Sequence, residues 1–160
     1  MFSFFNSKPS APLPMPTSQL FDEQSFYTQF TKDLRNAKSE VIIESPFITK
    51  GRVVTLIPVF AELQRKGVKI FIITRPSHEH EEVLARQAEY AIQVFEDMEI
   101  QVFTSLGNHH RKLAIIDRKI LWEGSLNILS QTRSREIMRR IVGKELATET
   151  FNFLNFGKLI

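Results

Sequence analysis

Between His110 and Asn127 the chain reads HRKLAIIDRKILWEGSLN, and this stretch constrains the fold more than any other. Two short runs rich in β-branched and aromatic residues, Leu113 to Ile116 and Ile120 to Trp122, flank the polar Asp117-Arg118-Lys119, which is the pattern of a β-hairpin. A turn centred between Arg118 and Lys119 opposes His110 to Asn127 and Lys112 to Ser125. Side chains two apart on a strand share a face, so His110, Lys112, Ser125 and Asn127 are expected to project from one side. Such a grouping is a site rather than a scatter of polar residues.

The same residues fit the pattern H-x-K-x4-D-x6-G-S-x-N at every fixed position: His110, Lys112, Asp117, Gly124, Ser125 and Asn127. Here the chain resembles the phospholipase D superfamily, most closely from Ile100 to about Val142 and less distinctively back to Glu40. The resemblance implies that the histidine forms a covalent phosphohistidine, that a second histidine protonates the leaving group, and that water then releases the product. Members of the family commonly take the two histidines from two copies of the motif. This chain has no second H-x-K, so the resemblance implies a homodimer with His110 near its two-fold axis. Glu136, in the segment Ser134-Arg135-Glu136-Ile137-Met138, falls where the family often has an acidic residue that orients the nucleophilic histidine.

Each of these residue types suits phosphodiester chemistry. Imidazole, with an ordinary pKa of about 6.5, offers His110 a neutral nitrogen near physiological pH without metal activation. Lys112, Ser125 and Asn127 can hold phosphate oxygens as charge accumulates on them. Gly124 leaves room for the backbone to approach substrate closely. Asp117, by its place in the turn, is read as a structural cap. His109 is a neighbour outside the chemistry, although a register error of one residue exchanges its face with that of His110; the spacing to Lys112 selects His110. His78-Glu79-His80-Glu81-Glu82 is read as the polar start of a helix, where carboxylates meet the helix dipole, and not as a metal site. No cofactor and no metal are expected.

The formal charge of +3 becomes informative when located. From His109 to Lys144 nine Lys and Arg face three acidic residues, so that window carries +6 and the remainder −3. Positive charge concentrated around the motif suits a polyanionic ligand, with Arg133, Arg135, Arg139 and Arg140 as the expected phosphate contacts. The absence of cysteine excludes a disulfide framework and thiol catalysis and suits a reducing, cytoplasmic setting. No apolar run approaches the roughly 18 residues of a membrane span, so no stable membrane association is expected. The opening Met1 to Phe5 is too short for a signal sequence, and Phe2, Phe4 and Phe5 offer at most a weak apolar contact.

Residues 1–20 hold four of the seven prolines and are expected to form a flexible arm, leaving 21–160 as one domain. A helix is predicted from Asp22, its N-cap, to Ala37, and a strand over Glu40 to Glu44. A second helix ends at Lys66 with Gly67 behind it, and Pro58 either sits in its first turn or kinks it. Val68 to Thr74 is a strand parallel to the first, His78 to Met98 a helix, and Glu99 to Thr104 a strand. After the hairpin come a strand over Glu136 to Val142 and a closing helix over Lys144 to Phe156. Strand and helix order and the resemblance together imply an α/β/α sandwich with a mixed, mostly parallel sheet.

Three functions remain open on this reading. The first is a metal-independent nuclease of low sequence specificity acting on DNA or RNA. The second is a phospholipid hydrolase or transphosphatidylase, which needs an apolar cleft. The third is a nucleic-acid-binding subunit of the same fold without catalysis.

Overall fold

The computed structural model describes residues 15–130 and 133–160. In chain order the elements are β1 (Thr17–Asp22), α1 (Phe26–Asn36), β2 (Glu40–Glu44), α2 (Lys50–Arg65), β3 (Lys69–Thr74), α3 (Glu82–Asp97), β4 (Gln101–Thr104), β5 (Leu113–Ile116), β6 (Ile120–Gly124), β7 (Ile137–Val142) and α4 (Lys144–Phe153). The seven strands form one sheet in the order β1-β7-β6-β5-β2-β3-β4. The sheet is mixed, as expected, but only β2 with β3 and β3 with β4 run parallel; the other four pairings are antiparallel.

The central strands read as continuous apolar runs because both of their faces are covered. Val41, Ile43, Ile70, Ile72, Ala114 and Ile116 point to one face, where α1, α2 and α3 contribute Phe30, Phe60 and Phe95. Ile42, Phe71, Ile73, Ile115 and Leu121 point to the other, against Ala147 and Phe151 of α4. Each strand thus sends alternate residues into two separate cores, which gives the α/β/α sandwich its layers.

Two expectations need correction. Thr17 to Leu20, drawn as part of an arm over 1–20, belong to β1, which pairs antiparallel with β7 in register Leu20 to Arg139. An edge strand bonds on one side only and here lies largely exposed, so Thr17-Ser18-Gln19 shows no apolar alternation in the sequence. Phe2, Phe4 and Phe5 lie outside the described residues. The first helix starts at Phe26 rather than at Asp22, whose carboxylate instead accepts the Ser25 amide at 2.8 Å and the Ser25 hydroxyl, closing the turn between β1 and α1. Pro58 lies in the interior of α2, on its exposed side.

Because β5 runs antiparallel to β2, the start of β5, the end of β6 and the start of β7 fall at the same sheet end as the carboxyl ends of β2 and β3. That end is where open α/β sheets bind ligands. All motif side chains except Asp117 lie there.

Candidate active site

The hairpin forms, with a register one residue from the expected one. Ile116 opposes Ile120 and Leu113 opposes Glu123, so the turn has three residues and is centred on Arg118. Asp117 and Arg118 both adopt left-handed backbone, at φ 53° and 51°, a conformation that lengthens the turn and that Asp tolerates better than most residues. The side chain of Asp117 reaches across to the start of β2. It accepts the amides of Lys38 and Ser39 at 2.8 Å, that of Glu40 at 3.1 Å and the hydroxyl of Ser39 at 2.8 Å. Partial burial raises its pKa, the donated hydrogen bonds lower it by more, and the carboxyl stays below its ordinary value.

In this register Lys112 stands opposite Gly124, and the Gly124 amide donates to the Lys112 carbonyl at 3.3 Å. Two apart and on one face, His110 and Lys112 meet directly. The Lys112 ammonium lies 2.8 Å from Nδ1 of His110 and 3.5 Å from Nε2, and donates to the His110 carbonyl at 2.8 Å. Desolvation lowers the pKa of Lys112, and the charge of Glu136 opposes that shift. The His110 imidazole is solvent-exposed, with the Phe47 ring edge-on at 6.1 Å.

His109 takes the other direction. Its side chain is buried beside the fully buried Glu44, 3.4 Å from Oε1 but without hydrogen-bond geometry. Burial pushes its pKa down, so the ring is neutral and the contact is no ion pair. Glu44 is instead neutralised by Arg111, which donates Nε and one terminal nitrogen to it at 3.0 and 2.8 Å. This alternation leaves one histidine of the pair in solvent and buries the other.

The loop before His109 is fixed by Glu79, which accepts the amides of Gly107 at 3.0 Å and Asn108 at 3.3 Å and pairs with Arg75 at 3.2 Å. These bonds, the Gly107 amide first, hold the Glu79 carboxyl below its ordinary pKa against a smaller desolvation effect. Glu79 was legible only as part of an acidic helix start; it lies in a short 3-10 turn before α3 and works on the motif loop.

After β6 the chain is held as tightly. A Cβ on Gly124 would lie 2.1 Å from the Ile137 carbonyl oxygen and 2.9 Å from Met138 Cα. The space that a side chain on Gly124 would need is therefore taken by β7. Ser125 donates its hydroxyl to Glu136 and accepts the Ile137 amide at 3.0 Å; Ser134 also donates to Glu136, at 2.6 Å. Asn127 leads into a turn closed by the Ser130 amide, and its Oδ1 is buried with no hydrogen-bond partner among the described residues.

That turn is anchored by residues the sequence did not single out. The Tyr27 hydroxyl donates to the carbonyls of Ile128 and Ser130 at 3.0 and 3.3 Å, and burial pushes its pKa up to about 12 against the opposing charge of Arg52. The Leu129 amide donates to Ser45 Oγ at 3.1 Å, and the Leu129 carbonyl accepts the Thr49 amide at 2.9 Å. Nothing in the local sequence of α1 marks Tyr27 for this task, since its partners are about a hundred positions away.

Of the expected phosphate contacts, Arg133, Arg135 and Arg139 are exposed, and Arg139 donates to Ser18 at 2.7 Å. Arg140 is not available. It pairs bidentately with the buried Asp33, at 2.6 and 2.8 Å, and Asp33 also accepts the Trp122 indole at 2.9 Å. Alternation along β7 decides this, because Arg140 points to the α1 face and Arg139 to the other. Among the described residues no group of three or more His, Asp and Glu is placed to hold a metal ion, and no helix is long and apolar enough to cross a membrane.

A comparison with curated proteins finds no match. Among solved structures the chain is similar to Nuc, a phospholipase D family member from Salmonella typhimurium, at 17% identity and a TM-score of 0.70, over 87% of this chain and 91% of that one. It is similar to NucT from Helicobacter pylori at 16% identity and a TM-score of 0.66, over 87% and 93%. Phosphatidylserine synthase from Haemophilus influenzae matches at 12% identity and a TM-score of 0.70, over 95% of this chain and 40% of that one. The family model described as cardiolipin synthase, PLD-like domain, matches residues 30–155, from α1 through α4, and the chain therefore belongs to the phospholipase D superfamily.

Proposed function

We propose that the protein is a metal-independent phosphodiesterase that cuts nucleic acid through a covalent intermediate on His110. The observation that carries this reading is the exposed imidazole of His110 with the Lys112 ammonium 2.8 Å from it, at the carboxyl end of β2. An imidazole nitrogen attacks phosphorus, a P–N bond forms, and the bond to the leaving oxygen breaks. That oxygen takes a proton from the imidazolium of a second His110, supplied by another copy of the chain. Water then gives a proton back to that second imidazole, attacks phosphorus and breaks the P–N bond. Lys112, Ser125 and Asn127 hold the non-bridging oxygens, and Glu136 fixes Ser125 and balances the charge of Lys112.

Nucleic acid is favoured over lipid by the basic charge around the motif and by similarity to Nuc and NucT over nearly their whole lengths. The test is cleavage of plasmid and single-stranded oligonucleotide in excess EDTA by the wild type and by His110→Ala. Cleavage that survives EDTA and falls about a thousandfold or more in the variant is expected. Loss in EDTA, or undiminished cleavage by the variant, overturns the reading.

A phospholipid substrate is the second reading, favoured by the description of the matching family and by Leu20 and Ile137, each 52% exposed near Lys112. Turnover of anionic phospholipid vesicles with none of nucleic acid decides for it.

A further inference from the structure

At Lys112, between the starts of β5 and β7, lies a groove of about 420 Å³ that the mechanism above does not use. Its cationic lining is Arg111, Lys112 and Arg139, and its apolar lining is Leu20, Leu113 and Ile137. Glu123, cross-strand from Arg139, supplies its one carboxylate. Arg111 is half exposed, and Glu44 occupies only Nε and one terminal nitrogen of its guanidinium. Arg139 has no carboxylate within ion-pair distance among the described residues, and the Ser18 hydroxyl on β1 steadies it. Cations held in place without full neutralisation make a site for anions.

The groove has Lys112 in its lining at the sheet end where β7 begins, and it follows β7 from Ile137 to Arg139. Two residues of extended strand span about 7 Å, a step comparable with the phosphate-to-phosphate repeat of an extended nucleic-acid strand. We infer that this groove seats the phosphate next to the scissile one, on Arg139 and Arg111, with the intervening sugar against Leu20 and Ile137. The inference rests on the nuclease reading and narrows it: the substrate is a strand with at least two phosphodiesters, entering along β7. A phosphatidyl ester brings one phosphodiester to Lys112 and leaves the two arginines without an anion. Lys112 belongs to both subsites, so the second phosphate acts on the same complex that undergoes attack.

The test compares a dinucleotide with one phosphodiester and a trinucleotide with two, each single-stranded, using the full chain. For the wild type, kcat/KM for the trinucleotide is expected to exceed that for the dinucleotide about tenfold or more, the scale of one charge-assisted contact. Arg139→Gln is expected to bring that ratio near one, and Arg139→Lys to keep part of it. Leu20→Glu, on an exposed edge strand, places a carboxylate in the groove and is expected to depress the ratio without touching any core residue. A wild-type ratio near one, or a ratio unchanged in both Arg139→Gln and Leu20→Glu, overturns the groove assignment and leaves the nuclease reading standing. No turnover of either nucleotide overturns both. Cleavage of phosphatidylglycerol vesicles that falls in Arg139→Gln while the nucleotide ratio holds assigns the groove to lipid and overturns the inference.

Discussion

Gly124 and Asp117 show how a motif residue can be fixed by architecture, one at the site end of the sheet and one at the opposite end. At Gly124 the obstacle to a side chain is backbone, the Ile137 carbonyl, which cannot swing away as a flexible side chain could. Gly124→Ala is therefore expected to lower unfolding free energy by about 1–3 kcal/mol, the cost of overpacking, read from denaturant midpoints at constant m. A midpoint equal to the wild type sinks the account. Asp117 makes a pH-dependent contribution. Its folded-state pKa lies below the unfolded value, so the stabilisation is present above that value, 3.8, and is lost as pH falls through the lower, folded-state pKa. Asp117→Asn keeps the left-handed backbone and loses the charge. Acid titration should show the wild type losing stability below about pH 3.8 more steeply than Asp117→Asn. At neutral pH Asp117→Ala should cost about 1–2 kcal/mol, as the loss of a helix cap does. Parallel acid curves for wild type and the Asn variant count against it.

The elements that hold the site together are joined by contacts distant in sequence, and this separates what was legible from what was not. β2, β3 and the hairpin were readable because each carries a local signal, an apolar run bounded by turn residues. β1 carries none: its strand character comes from β7, and its one partner leaves Thr17-Ser18-Gln19 free to be polar. The hairpin register was misjudged for a related reason, since left-handed Asp117 and Arg118 are stabilised by Lys38, Ser39 and Glu40 rather than by the turn itself. The contact of His110 with Lys112 follows from their spacing two apart on one face, whereas those of Tyr27, Glu79 and the Arg140–Asp33 pair required the fold. That last pair ties α1 to β6 and β7 in a largely buried position. Asp33→Ala leaves the guanidinium of Arg140 and the indole of Trp122 without their acceptor, and it is expected to cost about 3–5 kcal/mol in chemical denaturation. Removing both charges, Asp33→Ala with Arg140→Met, should recover part of that loss. A single variant within about 0.5 kcal/mol of wild type means the pair carries no structural weight.

For the molecule as a whole, one H-x-K histidine per chain, His110, and a proposed reaction that uses two lead to a kinetic consequence. If one active centre is shared by two copies, each with its His110 across a two-fold axis, then a mixed pair of wild type and His110→Ala has a nucleophile without an acid, or an acid without a nucleophile. Such a pair turns over little. When the two proteins are mixed and allowed to exchange subunits, only pairs with two wild-type copies work, and their share is the square of the wild-type fraction. An equal mixture should then show about one quarter of the activity of undiluted wild type, where independent chains show about one half. Differently tagged copies that co-purify establish that exchange has occurred. The same sharing makes specific activity fall on dilution below the dimer dissociation constant, with recovery on concentration. A linear dependence on wild-type fraction, with exchange verified, assigns a complete site to each chain and directs the search for the second proton donor to His80, which lies 5.2 Å from the Phe47 ring that also borders His110.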